Sequence, residues 1–266
     1  MKKIIAPIFA LFMLACQDND AKVYEEPTAE IETLNEYALA NQIFQDIGNN
    51  GGDAILNAEN STIAKTSDSK SGPVITVEPF DLSTFPKTTT VDFKDGTLCK
   101  DGITRSGIIT IVSTGWYRQE ESEHTTTFDD YYHEDYKVEG THLVRNLGTD
   151  QDNNPRYSVT INNGKISANN GAAINYTEDS FRTWIAGSDT PLNIWDDEYL
   201  LEGEQSGISS KGIGYALTIE EPLHFVLLPR NIKSGILDLD IGEVNDIKLN
   251  YNNSTVTILG VTYIWN

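Results

Sequence analysis

Basic residues are scarce in this sequence of 266 residues: 19 lysines and arginines stand against 40 aspartates and glutamates, and the formal net charge is −21. Because phosphate binding needs clustered positive charge, the long-range field of this chain repels polyanions. We therefore expect no nucleic-acid partner. Hydrophobic residues make up 39% of the chain, which is too few for a polytopic membrane protein and too many for a wholly disordered chain.

Cysteine is also scarce, since only Cys16 and Cys99 are present. A chain of this length can bury a core without disulfide bonds. If Cys16 carries lipid, Cys99 stands alone, and its neighbours in sequence offer no strong activating pair. We interpret Cys99 as a small buried hydrophobic residue rather than a nucleophile.

Long apolar runs are missing except at the N-terminus, where Lys2-Lys3 precedes the stretch from Ile4 to Leu14. This stretch is too short to cross a bilayer stably and is typical of a signal peptide. It ends in Ala15-Cys16, which resembles the bacterial lipobox, with Met13 where leucine is usual. We predict a signal peptide over residues 1–15 and membrane attachment through an acyl group on Cys16. The alternative is an ordinary secretory signal with a chance cysteine.

Removal of residues 1–15 takes away two lysines and no acids, which leaves 17 basic and 40 acidic residues and a net charge of −23. Anchoring is then expected through lipid rather than through basic attraction to a membrane surface. The segment Gln17-Asp18-Asn19-Asp20 resembles the acidic tags of surface-exposed lipoproteins, although a solvated tether would look the same. We expect an outer-membrane lipoprotein of the cell envelope, with surface exposure narrowly favoured over a periplasm-facing position.

The mature chain divides into three predicted parts. Residues 16–27 form a polar, acylated tether. Residues 28–72 form a short amphipathic helix and a polar linker, in which Thr28 caps the helix and Gly48 ends it. Residues 73–266 form the main domain. The predicted apolar face of the helix consists of Ile31, Leu34, Tyr37, Ala38, Ile43 and Phe44.

Beyond Pro73 the hydrophobic pattern alternates with a period of two, which is typical of strands. Short turn signals separate the strands, and such connections favour antiparallel neighbours. We predict an all-β fold: a large twisted antiparallel meander, either open or curled into a barrel-like shape, whose concave face receives the helix. The turn signals are Lys94-Asp95-Gly96, Asn162-Asn163-Gly164, Asn169-Asn170-Gly171 and Asn252-Asn253.

Several different short motifs follow one another through this region. Taken together, they resemble a family of β-rich exported lipoproteins of Bacteroidetes, over roughly residues 88–264. The family has no assigned activity, so the resemblance implies no catalytic residue. Members often carry further cysteines that are missing here, so it implies no disulfide for Cys99. The motifs are Thr104 to Ile109, Gly115-Trp116-Tyr117, Thr126 to Tyr132, Val138 to Thr141, Arg182 to Gly187, Ile194 to Asp197, Gly203 and Ser234-Gly235.

Aromatic residues supply the candidate ligand-binding site: Trp116, Tyr131, Trp184 and Trp195. Exposed rings beside carboxylates and amides are what a sugar-binding platform requires. The alternative is ordinary core packing, because every large β-domain needs aromatic filling.

Three histidines recur every nine residues, at His124, His133 and His142. An odd spacing puts successive residues on opposite faces of a continuous strand, so we interpret them as surface histidines rather than a metal cluster.

Clustered acids give two further hypotheses. Asp150, Asp152 and Asn154 begin like a calcium loop but lack its glycine and final glutamate, so we expect a solvated turn, with a weak calcium site as the alternative. Asp129-Asp130 and Asp196-Asp197-Glu198 invite a glycosidase interpretation, which the general abundance of acids weakens.

These patterns favour a non-catalytic interaction or structural role in the cell envelope, with a glycan or an envelope protein as the possible partner. A glycan-binding module that uses exposed aromatics is the alternative, and an envelope hydrolase is the third hypothesis. No cofactor is expected.

Overall fold

The computed structural model describes residues 28–64, 72–81, 83–99, 101–190, 196–227 and 230–264. The predicted signal peptide, Cys16 and the tether lie outside the described residues, and so does Trp195. Within the described residues the chain forms one helix, α1 (Thr28–Ala64), followed by fourteen strands.

The strands follow one another along the chain with short connections. The first seven are β1 (Val74–Glu78), β2 (Lys87–Asp92), β3 (Thr97–Leu98), β4 (Thr104–Ser113), β5 (Glu123–His133), β6 (Tyr136–Thr149) and β7 (Pro155–Ala168). The remaining seven are β8 (Ala173–Ala186), β9 (Glu198–Ile208), β10 (Gly214–Leu227), β11 (Arg230–Ile241), β12 (Val244–Asn250), β13 (Thr255–Ile258) and β14 (Val261–Ile264).

All described strands join one antiparallel sheet in the order β1-β2-β4-β5-β6-β7-β8-β9-β10-β11-β12-β13-β14, with β3 paired to β4 beside this path. The predicted all-β antiparallel meander is confirmed. The sheet is open rather than closed, because β1 and β14 stand at its two ends and are not paired to each other. Apart from β3, neighbours in sequence are neighbours in the sheet, as hairpin connections require.

β-bulges interrupt several strands near their middle and reverse the inward and outward alternation of side chains. In β7, Tyr157, Val159 and Ile161 are buried at odd positions, and after the bulge the buried residues are at even positions, Gly164 and Ile166. Asn163 provides the extra residue at φ 52°. The predicted turn at Asn162-Asn163-Gly164 is therefore wrong, since these residues form a bulge inside one long strand. Bulges also increase twist, which helps an open sheet to curl.

The predicted N-terminal helix is present but longer than expected, because Gly48 does not end it and α1 continues to Ala64. The glycines lie where the helix meets the sheet. A Cβ placed on Gly48 would lie 3.1 Å from His142 Nε2, and one on Gly52 would lie 3.4 Å from the Tyr117 hydroxyl oxygen. Close approach to the sheet, rather than helix termination, explains these residues.

The helix crosses the strands instead of following one of them. Near its start the Tyr37 hydroxyl donates to Gln205 Oε1 of β9 at 2.7 Å. Further along, Gly51 lies against Ile111 of β4, and the contacts of the helix extend to β1 and β2. At about 1.5 Å per residue, a helix of 37 residues is about 55 Å long, which is enough to span most of the sheet.

The buried core joins one side of α1 to strands from β2 to β12. The predicted face is right for Ile43 and Phe44 and wrong for Ala38, which is exposed. The buried face continues past the predicted end of the helix and includes Ala54, Ile55 and Ala58. Core members include Ala40, Ile43, Phe44, Ile47, Ile55, Val91, Ile109, Tyr131, Val138, Ile161, Tyr176, Leu217, Leu239 and Ile247.

Candidate functional site

The three spaced histidines are buried, so the expectation of surface histidines is wrong. His124, His133 and His142 have exposed fractions of 1%, 4% and 2%. A bulge at Asp130, with φ 45°, inserts one residue into β5 and brings both histidines of that strand to the inner face. They do not form a metal site: no cluster of three or more metal-binding side chains occurs among the described residues.

The four aromatic candidates do not share one surface. Tyr131 is completely buried beside Phe93. Trp116 is half-buried and packs edge-on against Phe85, with ring centroids 5.1 Å apart. Trp184 is buried and lines a cleft, whereas Trp195 lies outside the described residues. Tyr131 thus belongs to the core, and Trp184 is the described candidate that borders the principal cleft.

This cleft lies between α1 and the inner face of β6 to β9. Its cavity volume is about 70 Å³, and it is partly open to solvent. On the helix side, Gly48 and Gly52 present no side chain to the cleft. The other lining residues are Asn49, Asp53, Leu56, Tyr117, Val144, Tyr157, Val159, Arg182, Trp184, Asp197 and Tyr199.

Two pairs of stacked rings form the aromatic wall of the cleft. Tyr117 stacks on Tyr157, with centroids 5.3 Å apart, and Trp184 stacks on Tyr199 at 5.8 Å. The Arg118 guanidinium lies 5.5 Å from the centroid of the Trp184 ring. Such pairing holds each ring in a defined orientation, so the wall is formed before any ligand arrives.

Asp197 is the fixed carboxylate of the site and is 2% exposed. One of its oxygens accepts a hydrogen bond from Trp184 Nε1 at 3.2 Å, and the other accepts one from the Tyr199 hydroxyl at 2.9 Å. Burial raises the pKa of Asp197 above its usual value, and the charges of Asp196 and Asp53 act in the same direction against the two hydrogen bonds. The cleft therefore holds an oriented acceptor near a second carboxyl group.

Arg182 supplies the positive charge of the site. Its Nη2 donates to Gln45 Oε1 at 2.6 Å, which ties β8 to α1 at the edge of the cleft. His142 lies close by, and its buried Nε2 has no hydrogen-bond partner within the described part of the chain. Burial lowers the pKa of His142 to about 3, and the charge of Arg182 acts in the same direction. The imidazole is therefore neutral at physiological pH.

Sequence reasoning missed Tyr157, Tyr199, Arg182 and Asp53 as members of this site. A usable signal was present in the pairs Arg182-x-Trp184 and Asp197-x-Tyr199, because residues two apart in a strand share a face. Asp53 had no such signal, since its place depends on how the helix crosses the sheet.

The other acidic candidates form local hydrogen bonds and ion pairs. Asp150 Oδ1 accepts hydrogen bonds from the backbone N–H groups of Asp152 at 2.9 Å and Asn154 at 2.8 Å, and so closes the β6–β7 turn. Asp130 is exposed and pairs with Lys137 at 2.8 Å. Of the acidic groups suggested by the sequence, only Asp197 lies in the cleft as far as the described residues extend.

Comparison with known proteins returned no matching family model, no matching curated protein and no matching solved structure. Within the described residues, α1 is not apolar enough over any stretch of sufficient length to be a membrane-crossing helix.

Proposed function

We propose that this chain is a lipid-anchored protein of the outer membrane with a non-catalytic binding role, and that its ligand is a glycan held in the cleft between α1 and the sheet. The lipobox-like Ala15-Cys16 supports the anchor. The observation that carries the binding role is the combination, in one cleft, of stacked aromatic rings with the oriented carboxylate of Asp197.

Sugar rings present apolar C–H faces and polar hydroxyl edges, and this cleft offers partners for both. The rings of Tyr117 and Trp184 provide apolar surface, whereas Asp197 and Arg182 provide an acceptor and a donor. Both signs of charge are present, which suits an uncharged ligand rich in hydroxyl groups better than a strongly charged one. The glycan alternative from the sequence is thus retained with a different set of aromatics.

Tryptophan fluorescence offers a direct test. The mature acylated protein, held in a sugar-free detergent, is titrated with chitotriose, maltotriose, cellotriose and laminaritriose up to about 10 mM, which covers sites with Kd near about 1 mM. We expect saturable quenching by at least one trisaccharide. The Trp184→Phe variant should lose the response, and the Trp116→Phe variant should keep it because Trp116 lies outside the cleft.

The outcomes separate the hypotheses. No saturable change with any of the four sugars would overturn the glycan proposal, and equal loss in the two tryptophan variants would remove the cleft as the site. Release of reducing sugar during the titration, abolished by Asp197→Asn, would instead favour the hydrolase, for which the neighbouring Asp53 could supply the second carboxyl group.

A further inference from the structure

The last stretch of the sequence has no charge. Residues 249–266 contain no aspartate, glutamate, lysine, arginine or histidine, although charged residues form 22% of the whole chain. This stretch includes the hairpin of β13 (Thr255–Ile258) and β14 (Val261–Ile264). The protein as a whole has a net charge of −21, so this segment without charged side chains differs from the rest of the chain.

The hairpin also exposes apolar side chains. Leu259, Val261 and Ile264 have exposed fractions of 62%, 51% and 68%, and Tyr263 is 40% exposed. Every residue of β14 is exposed, so apolar side chains face solvent on both sides of this strand. Burial within the domain therefore does not explain why these residues are apolar.

The turn of the hairpin also has an exposed apolar residue, at a backbone position that disfavours it. Leu259 and Gly260 form the turn with φ of 50° and 77°. Tight hairpin turns of this kind favour asparagine or aspartate before the glycine, because those residues tolerate positive φ. A leucine here costs backbone strain and gains no burial in the fold, which indicates that its side chain meets an apolar surface elsewhere.

We propose that this hairpin, residues 255–264, inserts its exposed apolar side chains, Leu259, Val261 and Ile264, into the boundary between headgroups and acyl chains of the membrane that holds the anchor. This rests on the proposed acylation of Cys16. A bilayer is the occupant that fits best, because charged side chains are costly at that depth and acidic ones are repelled by anionic lipids, whereas the hairpin contains none.

The path of the helix places the hairpin at the anchored end of the sheet. Tyr37, in the early part of α1, packs with a tilted ring against Tyr215 of β10, with centroids 5.5 Å apart. Burial raises the pKa of Tyr37, and the proximity of Tyr251 adds to this. Tyr251 stands in the turn between β12 and β13. The twelve residues from Cys16 to the start of α1 can reach at most about 42 Å, so the membrane lies within reach of this end.

Depth-dependent quenching tests the contact on the acylated protein. In a Cys99→Ser background, Leu259→Cys is labelled with an environment-sensitive fluorophore, and the protein is reconstituted into phosphatidylcholine vesicles containing nitroxide-labelled phosphatidylcholine. Emission from position 259 should be shifted to the blue and lost to the nitroxide. Asp95→Cys, in an exposed turn between β2 and β3, provides the matched label and should keep its emission.

The result that would overturn the contact is a label at 259 that keeps its emission in vesicles. Protection of that label from aqueous iodide without nitroxide quenching would also overturn it, because a protein partner or a second copy would then cover the hairpin. Vesicle flotation is read in the same samples. Protein that floats while position 259 stays unquenched refutes the hairpin contact alone, whereas protein that fails to float refutes the anchor.

Discussion

Gly48 of α1 and His142 of β6 lie so close together that a Cβ on Gly48 would be 3.1 Å from His142 Nε2. The same glycine lines the cleft and allows Arg182 to reach Gln45 on the helix. The depth at which the helix sits in the sheet, and hence the shape of the cleft, depends on the missing side chain at this position.

The Gly48→Leu variant tests this close approach. The larger side chain gains helix propensity but must push the buried His142 ring aside, and we expect a net loss of about 1 to 3 kcal/mol in the free energy of unfolding. Gly51→Ala is the matched control, because its Cβ would lie 3.6 Å from Ile111 Cδ1 in ordinary contact. That variant should be stabilised by about 0.5 to 1 kcal/mol. Stabilisation of both variants in denaturant unfolding would show that α1 is not seated at this depth.

A charged substitution in the buried face of α1 tests whether the helix is docked on the sheet. Ile47 is 1% exposed within the core cluster, so Ile47→Asp loses apolar burial and places a carboxylate in the interface. We expect a loss of about 3 kcal/mol or more. Ala38→Asp, on the exposed side of the same helix, should cost less than about 1 kcal/mol. An unchanged thermal midpoint for Ile47→Asp would mean that the sheet folds without the helix.

Acid sensitivity follows from the buried His124. Burial lowers its pKa to about 4, whereas the unfolded chain has a value near about 6.5. Between these values the unfolded state binds more protons, so this contribution to stability is complete above about pH 6.5 and is lost as the pH falls toward about 4, by about 1.4 kcal/mol per unit.

The His124→Gln variant removes that titration. Urea unfolding at several pH values between about 4.5 and 6 should give a slope of free energy against pH that is shallower than in the parent by up to about 1.4 kcal/mol per unit. Identical slopes in the two proteins would show that His124 does not stay neutral in the folded state.

Acylation is tested at Cys16, the only cysteine of the lipobox-like motif. The Cys16→Ser variant lacks the acyl acceptor, so it should leave the membrane fraction or remain as uncleaved precursor. Cys99→Ser keeps the motif and should fractionate as the parent does. Processing and membrane fractionation of Cys16→Ser identical to the parent would refute the anchor, and mass measurement of the N-terminal peptide provides the check.

Much of the architecture could be predicted from the sequence because its signals are local. Alternation along β7 and β8, and turn residues such as Asn169-Asn170-Gly171, are sufficient to predict an antiparallel meander. The signal for α1 is likewise local, since apolar residues from Ile31 to Phe44 recur at helical spacing, and Ile43 and Phe44 are buried as expected.

The tertiary structure alone decided where α1 ends, which way the histidines face and which residues meet in the cleft. In the sequence Gly48 looks like a helix terminator, whereas in the fold it allows the helix to approach His142 closely. His124 and His133 lie on the same face of β5 only because one residue is inserted at Asp130. A bulge moves every later side chain to the opposite face, so its effect cannot be seen in the alternation that precedes it. Asp53 and Asp197 meet only because a long helix crosses the sheet, and no local pattern encodes that crossing.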